Sequence, residues 1–99
     1  MYLIETTNHF NNWITRLKDR TAKARILAKI KNIEFGNLGD TKPLKDGLFE
    51  FKITYGPGYR LYYTKKVDVI ILLVLGGDKS TQAKDIKKAK LILEELEIK

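Results

Sequence analysis

Residues 56–63 read Gly-Pro-Gly-Tyr-Arg-Leu-Tyr-Tyr, a tight turn leading into a strand with one arginine among three tyrosines. Just before them, residues 48–54 alternate: Phe49, Phe51 and Ile53 point one way, and Glu50, Lys52 and Thr54 the other. In the return strand, Tyr59, Leu61 and Tyr63 form the more apolar set, and Arg60, Tyr62 and Thr64 the other. If the two strands pair with their apolar sets on one face, Lys52, Arg60 and Tyr62 become neighbours on the other, which is expected to be open. Lys42 and Lys45 enter from the preceding loop, and Asp78 and Lys79 from the end of the last strand. Like charges held close repel unless an anion sits among them, so phosphate is the natural ligand. Arg60 suits a bidentate grip, the lysines act as point charges, and the Tyr62 ring can stack on a base. The plainer alternative makes Glu50 and Lys52 ordinary solvent-facing residues and Tyr62 a cover for apolar surface.

Such a cluster supports RNA cleavage without a metal. The substrate's own 2′-OH is the nucleophile; the protein orients it, moves protons and stabilises charge on the phosphorane. Crowded cations depress the pKa of their lysines, so one of them can act as a base. Other chemistry has less support. His9, the single histidine, falls in a first helical turn, where a surface or capping role fits best. Asp40, Glu50 and Asp78 are scattered along the chain and suggest no metal site. The stretch Gly76-Gly77-Asp78-Lys79-Ser80 lacks phosphate-loop spacing and reads as a strand end followed by a helix cap. No cofactor motif is present.

The elements that must hold these residues are legible from punctuation. All seven glycines and both prolines fall between Gly36 and Gly77, so the flanks can be helical and the middle is strands and turns. Tyr2 to Ile4 is a short strand candidate. Thr6 or Thr7 can cap a helix with the stripe Phe10, Trp13, Ile14, Leu17, and Asp19 one with the stripe Ala22, Ile26, Ile30, Ile33 ending near Gly36. Arg20, Arg25, Lys29 and Lys31 lie off that second stripe, as on a solvated face. Residues 36–47 read as a loop, Pro57-Gly58 as the centre of a type II turn, and residues 65–68 as another turn. Residues 69–75 form a central strand that Gly76-Gly77 ends, and a last helix from about Ser80 carries Ile86, Ala89, Leu93 and Leu96. Glu94, Glu95 and Glu97 close that helix where its dipole disfavours them, and we have no physical account of the cluster. The order β-α-α-β-β-β-α predicts an α+β fold, a small antiparallel sheet with two N-terminal helices on one face and a C-terminal helix.

Length and charge are compatible with this reading. The chain has 99 residues, suited to a single domain over 1–99, and a formal net charge of +7. Residues 1–50 hold nine basic and six acidic side chains and residues 51–99 ten and six, so the charge looks spread through the fold, as for a body that meets a polyanion or an acidic partner. With no cysteine, disulfide and thiolate chemistry are excluded. No signal peptide or membrane-length apolar run is visible, and a cytoplasmic protein is expected.

The ordered markers Phe10-x-x-Trp13, Gly36-Asn-Leu-Gly39-Asp40-x-Lys42, Gly47-Leu-Phe-Glu50, Gly56-Pro-Gly-Tyr-Arg60-x-Tyr62-Tyr63 and Gly76-Gly77-Asp78-Lys79-x-x-Gln82-x-x-Asp85-Ile86-x-x-Ala89 cover essentially the whole chain. With them the sequence resembles the RelE/ParE-type toxin superfamily, in its HigB-like, phage-related addiction module killer branch. The resemblance implies a type II toxin that cuts mRNA on the ribosome, an mRNA interferase with no cofactor, and a cognate antitoxin partner. It implies Lys52, Arg60 and Tyr62 as catalytic residues and Lys42, Lys45 and Lys79 as RNA-binding ones. One departure stands out: the branch has Glu-Leu-Arg-Ile where this chain has Glu50-Phe51-Lys52-Ile53, which keeps the charge and loses the fork. ParE-type relatives inhibit DNA gyrase instead, and a basic nucleic-acid binder without activity is the third reading.

Overall fold

The computed structural model describes residues 1–67 and 69–96. Its elements run β1 (Leu3–Thr6), α1 (Asn8–Arg16), α2 (Arg20–Glu34), β2 (Thr41–Lys45), β3 (Leu48–Ile53), β4 (Tyr59–Val67), β5 (Ile70–Asp78), a single 3-10 turn (Lys79–Thr81) and α3 (Gln82–Glu95). The five strands lie in the order β1-β5-β4-β3-β2. The expected α+β architecture holds, and β3, β4 and β5 are the consecutive antiparallel strands read from the sequence.

Both helix caps are made as the sequence indicates. Thr7 Oγ1 accepts the Phe10 amide and donates to the Val74 carbonyl at 2.6 Å, so one hydroxyl caps α1 and ties it to β5. Asp19 accepts the Ala22 amide to start α2. Helix α2 ends in a Schellman arrangement, with Gly36 at φ +92° and amides of Gly36 and Asn37 donating to the carbonyls of Ile33 and Asn32. Phe10, Ala22, Ile26 and Ile33 are buried, and with Phe51, Leu61, Tyr63, Ile71 and Leu73 they form the core on the α1/α2 side.

Several expectations need correction. The segment 36–47 is not all loop: Thr41–Lys45 pairs antiparallel with β3 as an edge strand, where Pro43 lacks a ladder donor at little cost and exposed lysines guard the edge. The sheet is not purely antiparallel, since β1 runs parallel to β5, from Leu3 opposite Ile70 to Thr6 opposite Leu73. The hairpin turn is centred one residue earlier than expected, with Gly58 donating to the Tyr55 carbonyl and Gly56 at φ +55°. Lys65 and Lys66 belong to β4 rather than to a turn; Asp68, in that expected turn, and Glu97, in the acidic cluster, lie outside the described residues.

Gly76-Gly77 does not end β5 either, because both residues continue the strand to Asp78. A Cβ at Gly76 would run into the Trp13 ring of α1, and one at Gly77 into the Asp85 carboxylate of α3. Two helices on opposite faces approach the same dipeptide, which is why it carries no side chains. Between Tyr62 opposite Leu75 and Tyr63 opposite Leu73, β5 holds one extra residue, Val74, in a bulge.

The largest correction concerns the face expected to be open. Helix α3 packs on it, and Leu48, Tyr62, Leu72, Val74, Leu75, Ala89, Ile92 and Leu93 form a second core there. Leu96, placed in the buried α3 stripe by spacing, is instead exposed at the helix end. No helix among the described residues is long and apolar enough to cross a membrane.

Candidate RNA-cleavage site

Lys52 on β3 stands directly opposite Arg60 on β4, and Glu50 opposite Tyr62. Across the other edge, Lys42 on β2 opposes Glu50. Pleat parity therefore puts Lys42, Lys52 and Arg60 on one side of three adjacent strands, as the alternation requires. Beyond the cover of α3 they line a hollow of about 160 Å³, together with Asp40, Thr41 and Glu50.

The cations differ in exposure and in how they are anchored. Lys42 and Lys52 are exposed, whereas Arg60 is only 6% exposed. Its Nη1 donates to the Gly58 carbonyl at 2.9 Å and its Nε lies 3.4 Å from Glu50 Oε1. The amide of Lys79 donates to the same Gly58 carbonyl, so the turn at Gly58 fixes Arg60 and draws Lys79 beside it. Arg60 is a guanidinium locked in place, while the lysines can follow a ligand.

Glu50 is the residue that sequence reasoning left out of the site. Its side chain is 2% exposed, yet it receives Gln82 Nε2 of α3 at 2.9 Å and sits 3.7 Å from Lys42 Nζ. A buried carboxylate needs such partners, and here they are the cations of the hollow. The signal was available: on the cation face of β3, Glu50 is the single acidic position, two residues from Lys52. Asp40 joins it at the hollow, so these two carboxylates, read as scattered, converge; Asp78 does not line it.

Tyr62 is placed differently from expectation. It is fully buried beneath α3, so its ring covers apolar surface and is not available to a base. Burial and the nearby Glu50 carboxylate push its phenol well above the ordinary value near 10, so it stays protonated. Lys45 pairs with Leu48 at the far end of β2, past a register shift, and does not line the hollow. His9 is exposed on α1, away from the cations. The face of α2 is not simply solvated: Lys29 Nζ donates to the Leu38 carbonyl at 2.7 Å, strapping the 36–40 loop to the helix. Burial lowers the Lys29 pKa, against a smaller opposing pull from Asp40.

No family model matches the chain. An uncharacterized protein of Haemophilus influenzae is 52% identical over 93 residues, covering 94% of this chain and 94% of that protein. A crystal form of the isolated E. coli RelE toxin superposes with a TM-score of 0.63 at 15% identity, covering 89% of this chain and 98% of that one. A double mutant of E. coli RelE in the free state gives 0.67 at 17% identity, covering 91% and 94%. At those identities the likeness speaks for the fold. The chain belongs to one family with the Haemophilus influenzae protein, and its fold is that of the RelE toxin.

Proposed function

We propose that this protein is the toxin of a type II toxin–antitoxin module and acts as a metal-independent endoribonuclease on ribosome-bound mRNA. The observation that carries this reading is the shared hollow of Lys42, Lys52 and Arg60, set on a RelE fold and closed on one side by the buried Glu50. A phosphodiester suits it because the three cations that line the hollow outnumber its two carboxylates, Glu50 and Asp40.

In this mechanism the locked Arg60 guanidinium faces the phosphate oxygens and stabilises charge that grows on them in the phosphorane. Lys52, exposed and directly across the ladder, takes the proton from the attacking 2′-OH when it is in its uncharged amine form. As the P–O2′ bond forms the P–O5′ bond breaks, leaving a 2′,3′-cyclic phosphate, and the proton held by Lys52 passes to the departing 5′-oxygen. Lys42 neutralises the incoming strand. Lys79, beside Arg60 at the turn, binds the flanking backbone. Tyr62 supports the floor from within the second core rather than touching RNA. A cognate antitoxin is the expected neutralising partner.

The test is induced expression with transcript-end mapping. New ends inside translated codons are expected with the native protein and not with Arg60→Ala or Lys52→Ala. Loss of a general base at Lys52 should slow cleavage by ~10²–10⁴-fold. Full cleavage by both variants, or DNA damage with intact mRNA, would remove this reading and favour a gyrase poison.

A further inference from the structure

The surplus of positive charge is not evenly distributed in space. Residues 16–31 hold seven Lys and Arg against one Asp, a balance of +6 within the chain's +7. The one acid, Asp19, accepts a backbone hydrogen bond as the α2 cap. Among the described residues, the ion pairs engage Lys42, Arg60, Lys66 and Lys90, and none of those seven cations. Carboxylates elsewhere in the first half of the chain offset this cluster, so the two halves carry similar net charge.

A second hollow, of about 330 Å³, runs between α2 and the outer end of β3 and is lined by Arg25, Lys29, Asn32, Lys52 and Thr54. Lys52 lines this hollow and the cation pocket alike. Arg25 is held over the Tyr55 ring at 4.6 Å, which preorganises an exposed guanidinium. Lys29 is committed to the Leu38 carbonyl, leaving Arg25 and Lys52, among the described residues, as the uncommitted charges of the groove and Asn32 as its neutral donor and acceptor.

We propose that this groove is a second RNA subsite, holding the phosphate next to the scissile one in single-stranded RNA, with Arg25 as its charged contact and Lys52 bridging the two. It rests on the reading of the first pocket as the place of the scissile phosphate. A single strand suits the geometry, because its flexible backbone can enter two adjoining hollows in sequence. A duplex presents its phosphates on a stiff convex surface. The guanidinium stacked on Tyr55 also offers a flat face of the kind on which unpaired bases lie.

The experiment is equilibrium binding of a hexanucleotide made uncleavable by 2′-deoxy substitution, followed over a salt series without ribosomes. Removing one phosphate contact lowers the slope of log affinity against log salt by ~0.7 for single strands. Arg25→Ala should show that loss, Arg25→Lys should restore the slope, and Lys84→Ala, on the exposed side of α3, should leave it unchanged. A second measurement uses the native protein, with one uncharged methylphosphonate link placed at each position in turn. One position should weaken binding to the native protein and have no further effect on Arg25→Ala. An unchanged slope in Arg25→Ala, an equal loss in Lys84→Ala, or equal competition by an RNA duplex would overturn the subsite. A protein that cleaves nothing and still shows the Arg25-dependent slope would sink the nuclease reading alone. Cleavage without that slope would sink the subsite alone.

Discussion

Glu50 is the residue on which the geometry of the cation pocket turns. It is buried, and it lies between a locked guanidinium, an exposed ammonium and an amide from α3. Removing it leaves Arg60 desolvated without its carboxylate, so Glu50→Ala should cost about 3–5 kcal/mol, read by urea denaturation. Loss of under about 1 kcal/mol would mean that Arg60 finds another anion or reaches water. Tyr62 gives the opposite expectation. Its ring packs in the second core and its hydroxyl, buried near Glu50, has no hydrogen-bond partner among the described residues, so Tyr62→Phe should leave stability unchanged or raise it by about 1 kcal/mol. The proposed cleavage should persist in that variant, and its selective loss would return the phenol to the chemistry. Two-residue periodicity could place Tyr62 on the correct face. It could not show that the face is covered, because that depends on where a helix twenty residues later comes to rest.

At the level of elements, the most constrained positions are those where a helix meets β5. Thr7 caps α1 and holds the Val74 carbonyl with one hydroxyl, so Thr7→Ala should cost about 0.5–2 kcal/mol and loosen the α1–β5 junction together. Gly76→Ala should cost about 1–3 kcal/mol, since the added methyl meets the Trp13 ring. Thermal unfolding of both variants checks this, and a neutral Gly76→Ala would show that Trp13 yields. The helices were legible in advance because their caps and stripes are local signals, as Thr7, Asp19 and Gly36 show. The strand at Thr41–Lys45 was not, since Thr-Lys-Pro-Leu-Lys lacks β-branched alternation and owes its extension to pairing with β3. The convergence of Lys52 with Arg60 was legible, because pleat parity in a tight hairpin leaves one solution. The placement of Lys45 was not, because a register shift precedes it.

For the whole molecule, alkali is the revealing perturbation. Burial raises the phenol pKa of Tyr62 and Tyr63 in the folded protein. Above the ordinary value near 10 the unfolded chain gives up those protons and the native one keeps them, so their contribution is intact below pH 10 and lost above it. Lys29, lowered by burial, acts in the other direction, gaining stability as pH climbs toward 10.5. The two tyrosines should prevail, with their own phenolate absorbance, isolated as the difference between the native protein and its Tyr62→Phe and Tyr63→Phe variants, appearing together with loss of helix in one transition above pH 10. Ionisation of those two phenols while circular dichroism stays native would contradict this. A last consequence belongs to the extra residue in β5. Val74 shifts the inward–outward rhythm of the strand by one, which is what lets Gly76 meet Trp13 and Gly77 meet Asp85. Chain length there is therefore as fixed as chain composition. Deleting any single amino acid across 74–77 would turn the far half of the ribbon over, exchanging the partners of both layers at once, whereas a conservative swap at the same place leaves that phase intact.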